Sequence, residues 1–419
     1  MLPERGPGVL ACGIPNEPQL NMRESFNLFG RNSGTSVSSA FLECRGEAVW
    51  GDRNYASFAR NGYIKNVIAF RSIHMVASAA GSVNITLHKT TKSGVFQIFN
   101  HPILKLLSRP NCIMTRAELI EGIVTYRLIS GNSYVLSVES RDMLPKELHL
   151  LRPDRVEIVT KAGGNAVAYR YSVNGHVYEF QVDRTTNRHD LLHLKNFHPL
   201  NDWYGLSTIE AASYSIDQHN QAGTWNQAML QNGARPSGAL VVKTKNEKNS
   251  TLTQEQYQRL KAQIEDFYTG PRNSGRPILL EGGLEWREMS LSPKDMDFIE
   301  SKNVSAREIA LAFGVPPQLL GIPGDNTYSN LSEARLALWE QTIIPHLESI
   351  IAHLNSWLVP RFGSNMFLSY DKESICALTE KRQRLWQYVQ NATFMTVNEK
   401  RAAFGLPPIE GGNSLEAQK

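Results

Sequence analysis

The side chains whose type and spacing could do chemistry are the histidines His193 and His198 and the acidic pair Asp295 and Asp297. Nearby histidines could serve as a base or as metal ligands, and paired carboxylates could hold a divalent cation, as in nucleases. The spacing argues against both. Two positions apart on a helix, Asp295 and Asp297 point to different sides. Asp295 has a simpler role in the first turn of a helix, where its charge opposes the helix dipole. His193 and His198 read as partly buried, hydrogen-bonded histidines. The cysteines Cys12, Cys44, Cys112 and Cys376 make no Cys-x-x-Cys pair and lie beside no histidine cluster with zinc spacing. They read as free thiols of a reducing compartment. Gly163-Gly164 is followed by no Lys-Ser/Thr, so there is no Walker A loop, and neither His-Glu-x-x-His nor Gly-x-Ser-x-Gly occurs. No nucleophile, base and oxyanion donor come together. The expectation is a protein with no metal, no cofactor and no enzymatic activity.

The elements around these residues explain more than the residues themselves. The chain has 419 residues, 41% hydrophobic and 20% charged, which suits two or three globular domains. The net charge of +4 neither demands nor excludes a nucleic-acid partner. Met1–Pro15 lacks the basic start and apolar core of a signal peptide, and Val67–Ala80 is too short for a membrane span and carries Arg71 and His74. Synthesis in the cytoplasm and no membrane partner are expected.

The first residues, to about Ser39, are rich in Gly, Pro, Asn and Ser and read as an arm that does not fold alone. An α+β body follows. Tyr63–Ala79 has helical periodicity, and Thr115–Ser130 opens with a capping box, Thr115 and Glu118. Short strands are predicted at Ser133–Val138, Val156–Thr160, Val167–Tyr171 and His176–Gln181, with Asn174-Gly175 as a two-residue hairpin turn. Ser207-Thr208-Ile209-Glu210 is a second capping box. The helix it starts runs to Asn232 and stops at Gly233, about 25 residues or about 38 Å long. It has no charged residue between Asp217 and Arg235. Such a helix is either buried in its own domain or packed among identical copies in a ring.

A small module comes next, with strands at Gly238–Thr244, Pro277–Leu280 and Leu284–Met289 and a helix at Thr253–Tyr268. Edge-to-edge pairing with a neighbour is plausible for it. A second long helix has Ser292 as N-cap and Pro293 at its first position. Met296, Ile299, Ala306, Ala310 and Phe313 fall on its packing face. The polar loop Gly321–Asn330 leads to a helix capped by Asn330 and running to about Leu358, with a kink expected at Pro345. Met366–Tyr370 is a strand. Lys381–Phe404 is helical with a break at Thr396, where Thr396 and Glu399 form another capping box.

Several phrases stand out along the second half of the chain. They are Tyr204-Gly205-Leu206-Ser207-Thr208-Ile209, Asn232-Gly233-Ala234-Arg235-Pro236-Ser237-Gly238 and Leu279-Leu280-Glu281-Gly282-Gly283-Leu284-Glu285-Trp286. Val315-Pro316-Pro317-Gln318-Leu319-Leu320-Gly321 and Thr396-Val397-Asn398-Glu399 with Gly405-Leu406-Pro407-Pro408 complete the set. Each is weak alone, but together they resemble the portal protein family of tailed bacteriophages and stand in that family's order over about Asn201–Gly412. The resemblance implies an α+β portal fold: an α+β wing, a two-helix stem, a small α/β clip, a long kinked wing helix after a tunnel loop, and a helical crown. It places an arm at 1–44, the wing at 45–205 and 331–373, stem helices at 206–233 and 292–314, and the clip at 234–291. The tunnel-loop region falls at 315–330 and the crown at 374–419.

It further implies a homo-oligomeric ring, of twelve copies or thirteen, at one capsid vertex of a virion assembled in the host cytoplasm. Double-stranded DNA would pass through the channel. Large terminase, head–tail adaptor and major capsid protein would be partners. Gly324, Asp325, Asn326, Thr327, Tyr328, Ser329 and Asn330 would face DNA, and the clip residues Lys243, Lys245, Arg259, Lys261 and Arg272 would meet terminase or adaptor. A loop without Lys or Arg suits a channel that must not grip its cargo, because every neutralised phosphate adds salt-dependent affinity. An ordinary solvent loop has the same composition. Two other classes remain: an enzyme with an unrecognised site, and another ring-forming virion connector or DNA-binding module. The last should carry a basic stripe, whereas here the basic residues are dispersed.

Overall fold

A computed structural model describes residues 54–414 apart from 93, 140–143, 161–165, 183–188, 232–237, 243–252, 256, 260, 263–283, 289–297 and 324–327. The body is built on three helices whose apolar faces meet: α1 (Val67–Ser82), α3 (Arg116–Ser130) and α8 (Ile344–Trp357). Ile73, Val76, Ala77 and Ala80 of α1, Ile120, Ile123 and Val124 of α3, and Leu347, Ile350 and Leu354 of α8 are fully or almost fully buried in one cluster. Small residues bring α1 and α3 close: a Cβ on Gly81 would stand 2.7 Å from the Ala117 carbonyl. The short helix α2 (Pro102–Ser108) lies between α1 and α3 in sequence.

Three antiparallel sheets surround this core. The first has the order β11-β1-β2, with β1 (Ile85–Thr91) and β2 (Gly94–Ile98) forming a hairpin and β11 (Met366–Tyr370) closing from far along the chain. The second is β4-β3-β8, from β3 (Asn132–Glu139), β4 (Pro145–Leu151) and β8 (Leu191–Lys195). The third is β5-β6-β7, from β5 (Val156–Thr160), β6 (Ala166–Val173) and β7 (His176–Gln181). Val173 pairs with His176 across Asn174-Gly175, both at positive φ (49° and 79°), as a type I′ turn needs. Arg361 pins the end of α8 to β3: it pairs with Glu139 at 2.7 Å, donates to Ser137 Oγ at 3.0 Å and lies over the Trp357 ring.

Two helices leave this body as an antiparallel pair. The first begins as α4 (Thr208–Ala211) and continues as α5 (Ser213–Gln231). It is not the unbroken helix that the sequence predicts from Ser207. At Ala212 ψ opens to 4°, so the anchored first turn is set off from the longer segment α5. The second is α6 (Phe298–Ala312); the predicted cap at Ser292 and its neighbours lie outside the described residues. Of the predicted packing face, Ala306, Ala310 and Phe313 are buried, but Ile299 is 78% exposed, because it stands near the far end of α6, away from the body. Between the pair, β9 (Gly238–Val242) and β10 (Leu284–Glu288) form an antiparallel ribbon. The strand predicted at Pro277–Leu280 lies outside the described residues.

The remaining helices correct one expected cap and one expected boundary. α7 (Tyr328–Ala337) already contains Asn330, so Asn330 is a helical residue and not the cap. A π-helical turn, Leu338–Ile343, joins α7 to α8 immediately before Pro345. A wider turn accommodates the ring and the missing N–H without ending the helix. Similarly, Tyr63 lies in a π turn (Phe58–Ile64), and α1 begins later, at Val67. The C-terminal helices α9 (Thr379–Asn391) and α10 (Val397–Ala403) are separated as expected, with the Thr396–Glu399 capping box fully formed.

Candidate functional site

Buried amides join the helix pair to the body. Asn66 caps α1, its Oδ1 accepting from Ile68 N at 3.1 Å and Ala69 N at 3.0 Å. Its amide nitrogen donates to Asn220 Oδ1 at 3.0 Å and to His219 Nδ1 at 3.3 Å, both on α5. Asn220 in turn donates to the Asn61 carbonyl at 2.9 Å. An amide nitrogen only donates, so His219 Nδ1 must accept and the ring carries its proton on Nε2. Burial, and then the charge of Lys302 on α6, hold the His219 pKa below its usual value. Lower on the same joint, Ser215 Oγ donates to Glu308 of α6 at 2.7 Å.

A second joint fixes the entry to α4. Ser207 Oγ caps α4 by accepting from Glu210 N, and donates to the Ile129 carbonyl at 2.6 Å. Asn132 Oδ1 accepts from Gly205 N at 2.7 Å and from His193 Nε2 at 3.0 Å. Asn196 N donates to the Gly131 carbonyl at 2.8 Å. Arg127, buried, donates to Asn196 Oδ1 and to Ser349 Oγ of α8. One network therefore ties α3, β3, β8, α4 and α8 together.

The sequence-predicted chemistry falls into this frame. His193 is stacked on Tyr134, with centroids 4.5 Å apart, and donates from Nε2 to Asn132 Oδ1. It is a structural histidine. Burial, followed by the charges of Lys195 and His353, pushes its pKa down to about 3. His198 Nδ1 accepts from Leu200 N at 3.0 Å and does not meet His193. Asp295 and Asp297 lie outside the described residues. Among the described residues no group of His, Cys, Asp and Glu could hold a metal.

These histidines make a pH prediction. The folded pKa of His193, and that of His346, lowered to about 4 by burial and Arg127, lie below the unfolded value. The unfolded state therefore takes up protons first as pH falls below about 6.5. Stability should drop through that window by at most about 1.4 kcal/mol per pH unit for each histidine, until the folded pKa is reached. Urea unfolding of His346→Gln between pH 7 and pH 4 should show a shallower decline than the parent chain. An unchanged slope contradicts the assignment.

The outer faces of the helix pair are unusual for a soluble surface. On α5, Tyr214, Gln218, Gln221 and Trp225 form an exposed stripe with no charge at helical spacing. On α6, Glu300, Val304, Arg307 and Leu311 form a second exposed stripe, in which charged and apolar residues alternate, Leu311 being 78% exposed. The inner faces are accounted for by Ala212, Ile216 and His219 against Ser305, Ile309 and Phe313, all buried.

The loop and module residues separate. Gly324, Asp325, Asn326 and Thr327 lie outside the described residues, whereas Tyr328, Ser329 and Asn330 form the first turn of α7. Lys243, Lys245 and Arg272 are likewise outside. Arg259 and Lys261 are helical and exposed. Sequence reasoning does not single out Asn66, Asn132 and Asn196. Asn66 has a signal, an Asn directly before an apolar-periodic run. The other two act across long sequence separations and have none.

Comparison with known proteins agrees with this arrangement. The model of the family described as "Phage portal protein" matches residues 68–405. An uncharacterized protein of Rickettsia bellii is 48% identical, over 91% of this chain and 97% of its own length. The portal protein of Enterobacteria phage HK97 is 24% identical, over 75% of this chain and 72% of its own. A chain from the neck of a native gene transfer agent (GTA) particle, computed with C12 symmetry, superposes with a TM-score of 0.65 at 42% identity, covering 87% of this chain and 96% of that one. The chain belongs to the phage portal protein family, whose members are structural connectors and not enzymes.

Proposed function

We propose that the chain forms a closed ring at one vertex of a capsid, through which double-stranded DNA is packaged and released. The observation that carries this reading is the exposed, uncharged aromatic stripe Tyr214–Trp225 of α5 beside exposed Val304 and Leu311 of α6. Exposed apolar groups on such faces are better covered than left in water, and a ring buries them against the next copy through a heterologous contact. The C12 symmetry of the similar GTA neck supports twelve copies. In this reading α4–α5 and α6 are the stem, and the ribbon β9–β10 with its neighbours is the clip that meets large terminase and then the head–tail adaptor. The body is the wing that faces the major capsid protein, and α9–α10 belong to the crown.

Two experiments address the parts. Deleting residues 325–329 should leave rings intact while DNA packaging or retention falls, measured by encapsidated DNA. Loss of assembly by a folded deletion variant contradicts the loop's role. Reversing charge with Arg259→Glu and Lys261→Glu should weaken terminase or adaptor docking about tenfold or more, the scale of one interfacial charge contact, without breaking the ring. Unchanged docking would place that contact elsewhere in the clip.

A further inference from the structure

We infer that a groove on the body, between the edge strand β2 and helix α2, is a docking site for an extended peptide segment of a protein partner that carries an apolar side chain and a carboxylate. The groove holds about 250 Å³ and is walled by Ile85, Ile98, Leu104 and Leu107, with Phe99 at its lip and Arg116 at its side. That volume fits one apolar side chain.

Three observations set the chemistry of the occupant. First, β2 ends the sheet β11-β1-β2, and no strand lies on its other side among the described residues. An edge strand offers backbone donors and acceptors to an incoming strand. Second, Phe99, which lines the groove, is 82% exposed. A large apolar ring left exposed at the mouth of a groove of mixed lining suits a contact surface. Third, the charge is uncompensated. Arg116 donates from Nη2 to the neutral Asn84 Oδ1 at 2.8 Å, while its Nε is buried without a hydrogen-bond partner among the described residues. The guanidinium lines the groove with only a neutral partner among the described residues, and its groove-facing edge fits a carboxylate. Glu118, on the same turn of α3, is held by Thr115 N at 2.7 Å and Thr115 Oγ1 at 3.0 Å and does not supply it.

The partner is thus a peptide that adds to the open edge of β2, places an apolar side chain between Ile98 and Leu104, and sets a carboxylate on Arg116. The inference stands apart from the ring reading, because none of these residues belongs to the helix pair.

The test is fluorescence anisotropy of the full chain with a labelled seven-residue peptide alternating Val and Asp, compared with the same peptide carrying Asn for Asp. The acidic peptide should bind, and Arg116→Gln should weaken it about tenfold or more, as loss of one charge-assisted hydrogen bond predicts. Leu104→Trp, which fills the groove, should abolish binding, and circular dichroism should show both variants folded. Equal binding of the acidic and neutral peptides, no binding of either, or indifference to Arg116→Gln and Leu104→Trp overturns the inference. Anionic lipid vesicles that bind the parent chain and displace the peptide through Phe99 would also overturn it, by making the lip a membrane contact.

Discussion

Gly205→Ala should loosen the helix pair from the body and cost about 3 kcal/mol or more, the scale of overpacking against atoms that cannot yield. A Cβ at Gly205 would meet the Gly131 carbonyl and stand 2.6 Å from Asn196 N and 2.9 Å from Asn196 O. All three are backbone atoms, so no side-chain rotation relieves the clash. Gly131 is fixed in turn by its left-handed backbone at φ 76°, where it ends α3. The Gly205 N–H also binds Asn132 Oδ1 at 2.7 Å, so displacing Gly205 disturbs the contact that holds His193. Urea unfolding of the variant should show a lower midpoint, and limited proteolysis should cut first near the start of α4. A midpoint within about 0.5 kcal/mol of the parent, the range of an ordinary surface change, contradicts this account of the joint.

Leu311→Asp should have the opposite profile: little effect on the single chain, and loss of the ring. Leu311 is exposed at the outer face of α6, so its side chain contributes little to the fold of one copy. In the proposed ring it would be covered by the next copy, where an unpaired carboxylate costs several kcal/mol. A closed ring repeats that cost at each junction. Val304→Asp, two turns earlier on the same face, should behave alike. Native mass measurement should give single chains for both variants with thermal unfolding near that of the parent. Rings of parental size from both would remove α6 from the interface.

Much of the local structure is legible in the sequence because it rests on local chemistry. Thr115 with Glu118 and Thr396 with Glu399 set helix starts through contacts three residues apart. Asn174-Gly175 sets a turn because both residues accept positive φ. Expectations fail where a distant contact decides. The hairpin β1–β2 escapes the sequence reading because β1 gains its second partner from β11, near the other end of the chain. Helix α7 starts at Tyr328, before the Asn330 that has the type of a cap, since a capping residue type marks a start only where the backbone turns. At Pro345, where a kink is expected, the irregularity takes the form of a π turn just before the ring. Of the candidate site, the uncharged face of α5 is visible in the sequence. The amide joint through Asn66, Asn132 and Asn196 is not, because amides at those spacings carry no periodic signal.

The most direct measurement is negative-stain electron microscopy of the purified chain, with native mass on the same sample and a second preparation made together with its capsid partners. The account predicts closed rings with a central hole wide enough for double-stranded DNA and a mass of twelve copies, or thirteen. A single chain or a dimer that persists even with the capsid partners present would contradict the ring and the DNA channel that depends on it.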